Sequence, residues 1–239
     1  MKFNYKIALT GLLPVVSITT HAQKLPNVQI ASVRTPPDIK IDGKATEWNN
    51  KFQAYNNATE IYYTMSNDEG NLYLTIQAVE PDIINKIFVG GITLTIQRPG
   101  KKDDKNQVQI TYPIAKNTRF SLNNRRGVMA DTSARAADSV MNHNNKIVGQ
   151  NCQLIKVTGI AGLDTLISVY NTDGVRAVGL FNNKKAYTYE LSISLKHLGL
   201  SVINGAKFAY NIQINGKKNR TCYRRYDYCV RTTDIGFRT

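Results

Sequence analysis

The strongest constraint on this 239-residue chain is a period-two alternation of apolar and polar residues that recurs from Ile61 almost to the C-terminus. Ile61, Tyr63 and Met65 fall on one face of an extended segment. Leu72, Leu74, Ile76 and Ala78 repeat the pattern, with Tyr73, Thr75 and Gln77 opposite. Ile92, Leu94 and Ile96 alternate with threonines and Gln97, and Val108, Ile110 and Tyr112 follow. The pattern returns at Val175 to Phe181, Tyr187 to Leu195 and Phe208 to Ile214. Alternation of this kind, rich in β-branched and aromatic residues, predicts half-buried antiparallel strands.

The breaks between these runs carry turn chemistry: Asp42-Gly43, Asp68-Glu69-Gly70-Asn71, Arg98-Pro99-Gly100, Asp173-Gly174, Asn182-Asn183 and Asn215-Gly216. Gly and Asn supply the positive φ that tight hairpins need. Short strands at such spacing predict an all-β fold, an antiparallel β-sandwich of jelly-roll-like kind. Asn117 to Asn145 departs from the pattern, with Ala130, Ala134, Ala136, Ala137, Val140 and Met141 near helical spacing. It predicts a short helical insertion around residues 128–145, with Asp131 as a candidate N-cap. Lys196-His197-Leu198-Gly199-Leu200 reads as a single turn closed by its glycine.

The N-terminus reads as a leader. Lys2 and Lys6 precede a mostly apolar stretch, Ile7 to Ile18, which is shorter than the roughly 20 residues a membrane helix needs. Thr20-His21-Ala22 then offers a cleavage site, so residues 1–22 are expected to be a signal peptide. Residues 23–37, ending in Pro36-Pro37, read as an extended linker, and residues 38–239 as one domain. Export to the periplasm or the cell exterior follows, with no transmembrane segment and a monomer as the expected state. The formal charge is +14, of which Lys2 and Lys6 account for two. The basic residues are spread in pairs beside turns, as in Lys101-Lys102, Lys184-Lys185 and Arg224-Arg225, which reads as a solvated surface. No nucleic-acid-binding signature accompanies the charge, and nucleic acid is not an expected partner. Cys152, Cys222 and Cys229 are the three cysteines. In an oxidising compartment Cys222 and Cys229 are candidates for a hairpin disulfide, with Cys152 left as a buried thiol; the odd count leaves other pairings open.

Ile41-Asp42-Gly43 through Glu47-Trp48, followed by Asn67-Asp68-Glu69-Gly70-Asn71-Leu72-Tyr73-Leu74 and Asp82, resembles carbohydrate-binding modules of family 9 and their DOMON-like relatives. The closer likeness is to exported Bacteroidota proteins that carry such a domain, whose C-terminal motif is echoed in Thr232-Thr233-Asp234-Ile235-Gly236-Phe237. The resemblance implies a β-sandwich, export, and sugar binding by aromatic stacking with calcium nearby. Trp48 matches the tryptophan of the opening motif and is the chain's only one.

The candidate ligand-binding residues are Trp48, Tyr62, Tyr73, Tyr223, Arg224 and Tyr226. An indole ring stacks on the apolar face of a sugar and its N–H bonds a hydroxyl; the competing reading places Trp48 in the core, closing the sandwich. Tyr62 and Tyr73 alternate with core positions and so face outward, where cross-strand packing is the competing role. Tyr223, Arg224 and Tyr226, between the two late cysteines, combine aromatic and cationic groups suited to a planar or anionic ligand. Among the acids, Asp68 and Asp82 are the candidate calcium ligands, calcium being the one cofactor the residues suggest. Turn-forming Asp is the alternative. No catalytic motif is present, and no nucleophile and base can be paired. The expected function is an exported, non-catalytic binding domain for carbohydrate or another polar polymer. The alternatives are a structural or protein-interaction domain of the cell envelope, and an accessory module or glycoside hydrolase acting in carbohydrate catabolism.

Overall fold

The structure, a computed structural model, describes residues 24–98, 107–116, 122–123, 133–201, 207–216, 228–231 and 235–236. Two sheets pack face to face, as the alternation predicts. The first is built on the hairpin β3 (Ile61–Asn67) and β4 (Asn71–Ala78), with β10 (Tyr187–Ser194) and β9 (Val175–Phe181) continuing it beyond β4. Two short strands, β1 (Val33–Arg34) and β2 (Ala54–Asn56), share the other side of β3. The second sheet runs β12 (Tyr228–Arg231), β11 (Lys207–Ile214), β5 (Ile92–Gln97), β6 (Gln107–Ile114), β7 (Leu154–Thr158) and β8 (Leu166–Ser168), with β13 (Ile235–Gly236) also on β11. All pairings are antiparallel except β1 with β3.

The apolar set of each strand meets its counterpart in one core. Met65, Leu74, Ile76, Leu191 and Ile193 from the first sheet join Ile92, Leu94, Ile110 and Ile212 from the second, all buried. Two tyrosine pairs tie the layers: Tyr112 and Tyr189 stack at 5.8 Å, and the hydroxyls of Tyr63 and Tyr210 lie 3.3 Å apart. Each ring fills core volume; the hydroxyls of Tyr63, Tyr210 and Tyr112 find hydrogen-bond partners, whereas that of Tyr189 is buried without one.

The alternation alone does not reveal the helix α1 (Pro81–Gly90), which closes one end of the sandwich. Its signals are Pro81 in the first turn, which pre-sets φ, and Ile83, Ile84, Ile87 and Phe88 at helical spacing on one buried stripe. Phe88 packs edge-on to Tyr187 at 4.8 Å and stacks with Phe181 at 5.8 Å. Gly179 makes room for this cluster, because a Cβ there would stand 2.0 Å from the Tyr187 hydroxyl. With Tyr187 1% exposed, the ring has no space to retreat. Gly179→Ala is expected to cost about 2–3 kcal/mol through overpacking, read as a lowered urea midpoint at unchanged slope. A change under about 0.5 kcal/mol would show that the ring repacks freely.

The helical insertion is α2 (Ala134–Asn151), later than the expected 128–145. Its N-cap is Ser133, whose hydroxyl accepts from the Ala136 N–H at 3.2 Å. Asp131 lies outside the described residues. The helix covers the edge of β9: the Asn145 side chain donates to the Phe181 carbonyl (3.0 Å) and accepts its N–H (2.7 Å). A side-chain amide thus satisfies an open strand edge. The single turn α3 (Leu195–Leu198) ends at Gly199 in the left-handed region, as read. Cys152 caps α2 and is a buried free thiol, burial pushing it up to about 12.

The lead-in expected as a linker is extended but does not link. Its described part lies along β3 and completes the first sheet, because β3 would otherwise present an unpaired edge. Among the described residues no helix is long and apolar enough to cross a membrane.

Candidate binding groove

The first sheet is buried on its outer side as well, which strict alternation does not predict. Thr64, Ser66, Thr75, Thr188 and Glu190 alternate with core residues yet are at most 4% exposed. The 39–50 segment crosses this face at β10, and the Gln53 N–H bonds Thr64 Oγ1 at 3.1 Å. The N–H groups of Asp42 and Gly43 donate to Glu190 Oε2 at 3.0 and 2.9 Å, pinning the segment to β10. Gly43 has φ +80, and a Cβ there would meet Leu180 at 2.8 Å, so the close crossing requires glycine. Burial raises the Glu190 carboxyl to about 7; the two backbone donors pull the other way, and the charges of Asp42 and Glu47 add to the rise.

Beyond Gly43 the segment tightens into a turn. Asn49 and Asn50 both take positive φ, 50° and 54°, and the Asn50 N–H returns to the Ala45 carbonyl at 3.0 Å. Asn tolerates this conformation better than other non-glycine residues. The turn sets Asn50 between two adjoining hollows, which share Asn50 and Gln77. One, of about 650 Å³, is walled by Phe52 and Tyr62 with Leu25, Lys51 and Gln53. The other, of about 560 Å³, includes Lys44, Thr188, Leu180, Asn182 and Lys184. Both fall in the range of ligand pockets, roughly 300–1,000 Å³. Tyr62 is held by aromatic neighbours, its ring 4.6 Å from Tyr55 and 5.8 Å from Phe52. Gln77 Nε2 donates to Thr188 Oγ1 at 3.2 Å, which fixes its amide at the junction. An aromatic wall, a row of amides and flanking cations form a surface that stacks on rings and hydrogen-bonds hydroxyls.

The structure separates the expected site residues. Tyr62 lines the groove. Tyr73 is 7% exposed and lines a different hollow of about 480 Å³ with Ile39, Ile41 and Arg176. Its hydroxyl donates to Asp68 Oδ2 at 2.6 Å, and burial followed by that carboxylate pushes it up to about 12. Trp48 is half-buried, and its ring N–H is buried without a hydrogen-bond partner. That N–H therefore faces the protein rather than an incoming hydroxyl, closer to the closing role than to the stacking one.

Asp68 and Asp82 are not neighbours. Asp68 sits in the β3–β4 turn and Asp82 in the first turn of α1, beyond opposite ends of β4. Eight residues of strand separate them by roughly 25 Å at ~3.3 Å each. Asp68 is committed to its turn, with Oδ1 accepting the Gly70 and Asn71 N–H groups at 2.7 Å each. Burial opposes its charge, but the bonds from Tyr73, Gly70 and Asn71 outweigh it and hold the carboxyl below the usual range. Among the described residues no group of three or more His, Cys, Asp or Glu could hold a metal. The calcium expectation is thereby corrected for this pair: the strand between them keeps them apart. Tyr223, Arg224, Tyr226 and Cys222 lie outside the described residues, as does the side chain of Cys229. Asn50, Lys51, Phe52, Gln53 and Lys184 lie outside the strands, where alternation carries no signal, and Gln77 is one of several outward polar residues on β4.

No family model matches the chain, and no curated protein matches it in sequence. Among solved structures, it is similar to a carbohydrate-binding module of family 9 from Caldicellulosiruptor kristjanssonii in complex with glucose. The likeness covers 87% of this chain and 95% of that one, at 10% identity and a TM-score of 0.42. No residue correspondence follows from a likeness of this size.

Proposed function

We propose that the chain is an exported, non-catalytic binding domain that takes carbohydrate or a similar polar polymer in the groove joined at Asn50 and Gln77. The observation that carries the reading is the adjacency of the two hollows, one with an aromatic wall and the other lined by amides. Sugars present an apolar face and a hydroxyl rim, and this pairing of surfaces suits both. Export rests on the leader pattern of residues 1–22.

The test is titration of the chain from residue 23 with a panel of oligosaccharides, with and without calcium. Trp48, two residues from Asn50 and the only tryptophan, supplies the fluorescence signal. Tyr62→Ala is expected to weaken binding about tenfold, the worth of one stacked aromatic face. Tyr62→Phe should keep most of the affinity. Equal affinity for the wild type and Tyr62→Ala, or no binding across the panel, would defeat the reading. The exposed Leu166 and Tyr170 beside β8, at one end of the second sheet, would then favour an interaction domain instead.

A further inference from the structure

We infer that the groove selects an acidic glycan, one carrying carboxylate or sulfate groups, over a neutral one; this rests on the binding role proposed above. Among the described residues the two adjoining hollows are lined by three lysines, Lys44, Lys51 and Lys184, and by no carboxylate. Lys51 and Lys184 are exposed and have no ion-pair partner among the described residues. Lys44 stands 3.8 Å from Asp42, a loose exposed contact that an anionic ligand can compete with. Beneath the groove, Glu190 is 1% exposed and covered by the Asp42 and Gly43 backbone, so it presents no charge to the cleft, and Glu60 and Glu80, whose charges reach Tyr55 beside Tyr62, line neither hollow. Glu47 is bonded by the Thr46 hydroxyl at 3.1 Å and lines neither hollow.

The chemistry is that of a polyanion reader. Lysine ammonium groups on flexible stems meet carboxylate or sulfate at variable spacing, while Asn50, Gln53 and Asn183 offer hydrogen bonds to hydroxyls between the charges. The chain from residue 23, without Lys2 and Lys6, carries 14 − 2 = +12 formal charges, which steer such a ligand from a distance. The polar hollow on the outer side of the second sheet, lined by Thr93, Thr95, Gln109, Thr111 and Lys156, is the internal contrast. Its described lining has hydroxyls, amides and one lysine but no aromatic wall.

The experiment uses a tetragalacturonate, its carboxyl-reduced neutral counterpart and a sulfated tetrasaccharide, each titrated into the chain from residue 23. The anionic oligosaccharides are expected to bind at least about tenfold more tightly than the neutral one, with affinity falling as salt rises. The double variant Lys51→Gln, Lys184→Gln should lose roughly fivefold to tenfold for the anionic ligands and stay within about twofold for the neutral one. Lys156→Gln should leave every affinity unchanged. Equal binding of the neutral and anionic ligands would overturn the inference and leave the binding role standing. A loss in Lys156→Gln as large as in the double variant would also overturn it, assigning the preference to bulk charge. Absence of binding by all three would overturn both readings.

Discussion

Gln29→Ala is expected to destabilise the fold by about 4 kcal/mol, although Gln29 lies in a segment that reads as a tether. β2 covers β3 at Ile61 to Tyr63 and β1 covers it at Ser66 and Asn67, which leaves Met65 uncovered between them. The Gln29 amide fills that gap as a piece of strand would. Its Nε2 donates to the Met65 carbonyl and its Oε1 accepts the Met65 N–H, both at 2.7 Å. Its backbone joins the inter-sheet tyrosines, accepting from Tyr210 and donating to Tyr63, each at 3.0 Å. Gln29 itself is 4% exposed. Truncation strands two backbone groups at about 1–3 kcal/mol apiece and opens a void. Urea unfolding measures the loss, with exposed Gln53→Ala as the neutral comparison. A loss below about 1 kcal/mol would show that water or a neighbour takes over the two bonds.

The second large effect depends on pH. The Glu190 carboxyl has Oε2 bonded to two backbone N–H groups, while Oε1 is buried without a partner. Its folded value of about 7 lies above the ordinary 4.5, because burial penalises the charged form. The folded state therefore holds this proton more tightly than the unfolded chain does. The stability it contributes is complete below pH 4.5 and is lost as pH rises through 7. Over that window the wild type should lose on the order of 3 kcal/mol relative to Glu190→Gln, which keeps the acceptor oxygen and does not ionise. Urea midpoints of both proteins at pH 5 and pH 8 check this. Parallel pH profiles would mean that the carboxylate finds solvent or a counter-charge once ionised.

Legibility tracked the physics of each segment. Strands with one face on the core, such as β4 and β11, announce themselves by period two, since burial sorts their residues alternately. Leu154 to Thr158 carries a weak signal, because only Ile155 and Val157 alternate into the core. The α1 helix leaves a weak trace because its apolar stripe runs directly into the next strand, with a single glycine between them. Tyr62 was readable as an outward aromatic. The rest of the groove was not, because Asn50 and its neighbours owe their positions to left-handed backbone and to the anchoring of Gly43 on a distant glutamate. Such contacts leave no periodic trace.

The burial of Cys152 bears on how the chain oxidises. A thiol that is 3% exposed and raised to about 12 forms almost no thiolate at neutral pH, and thiolate is the species that attacks disulfides. With α2 docked, Cys152 is withdrawn from thiol–disulfide exchange. Its sulfur would enter exchange only when the packing around α2 opens.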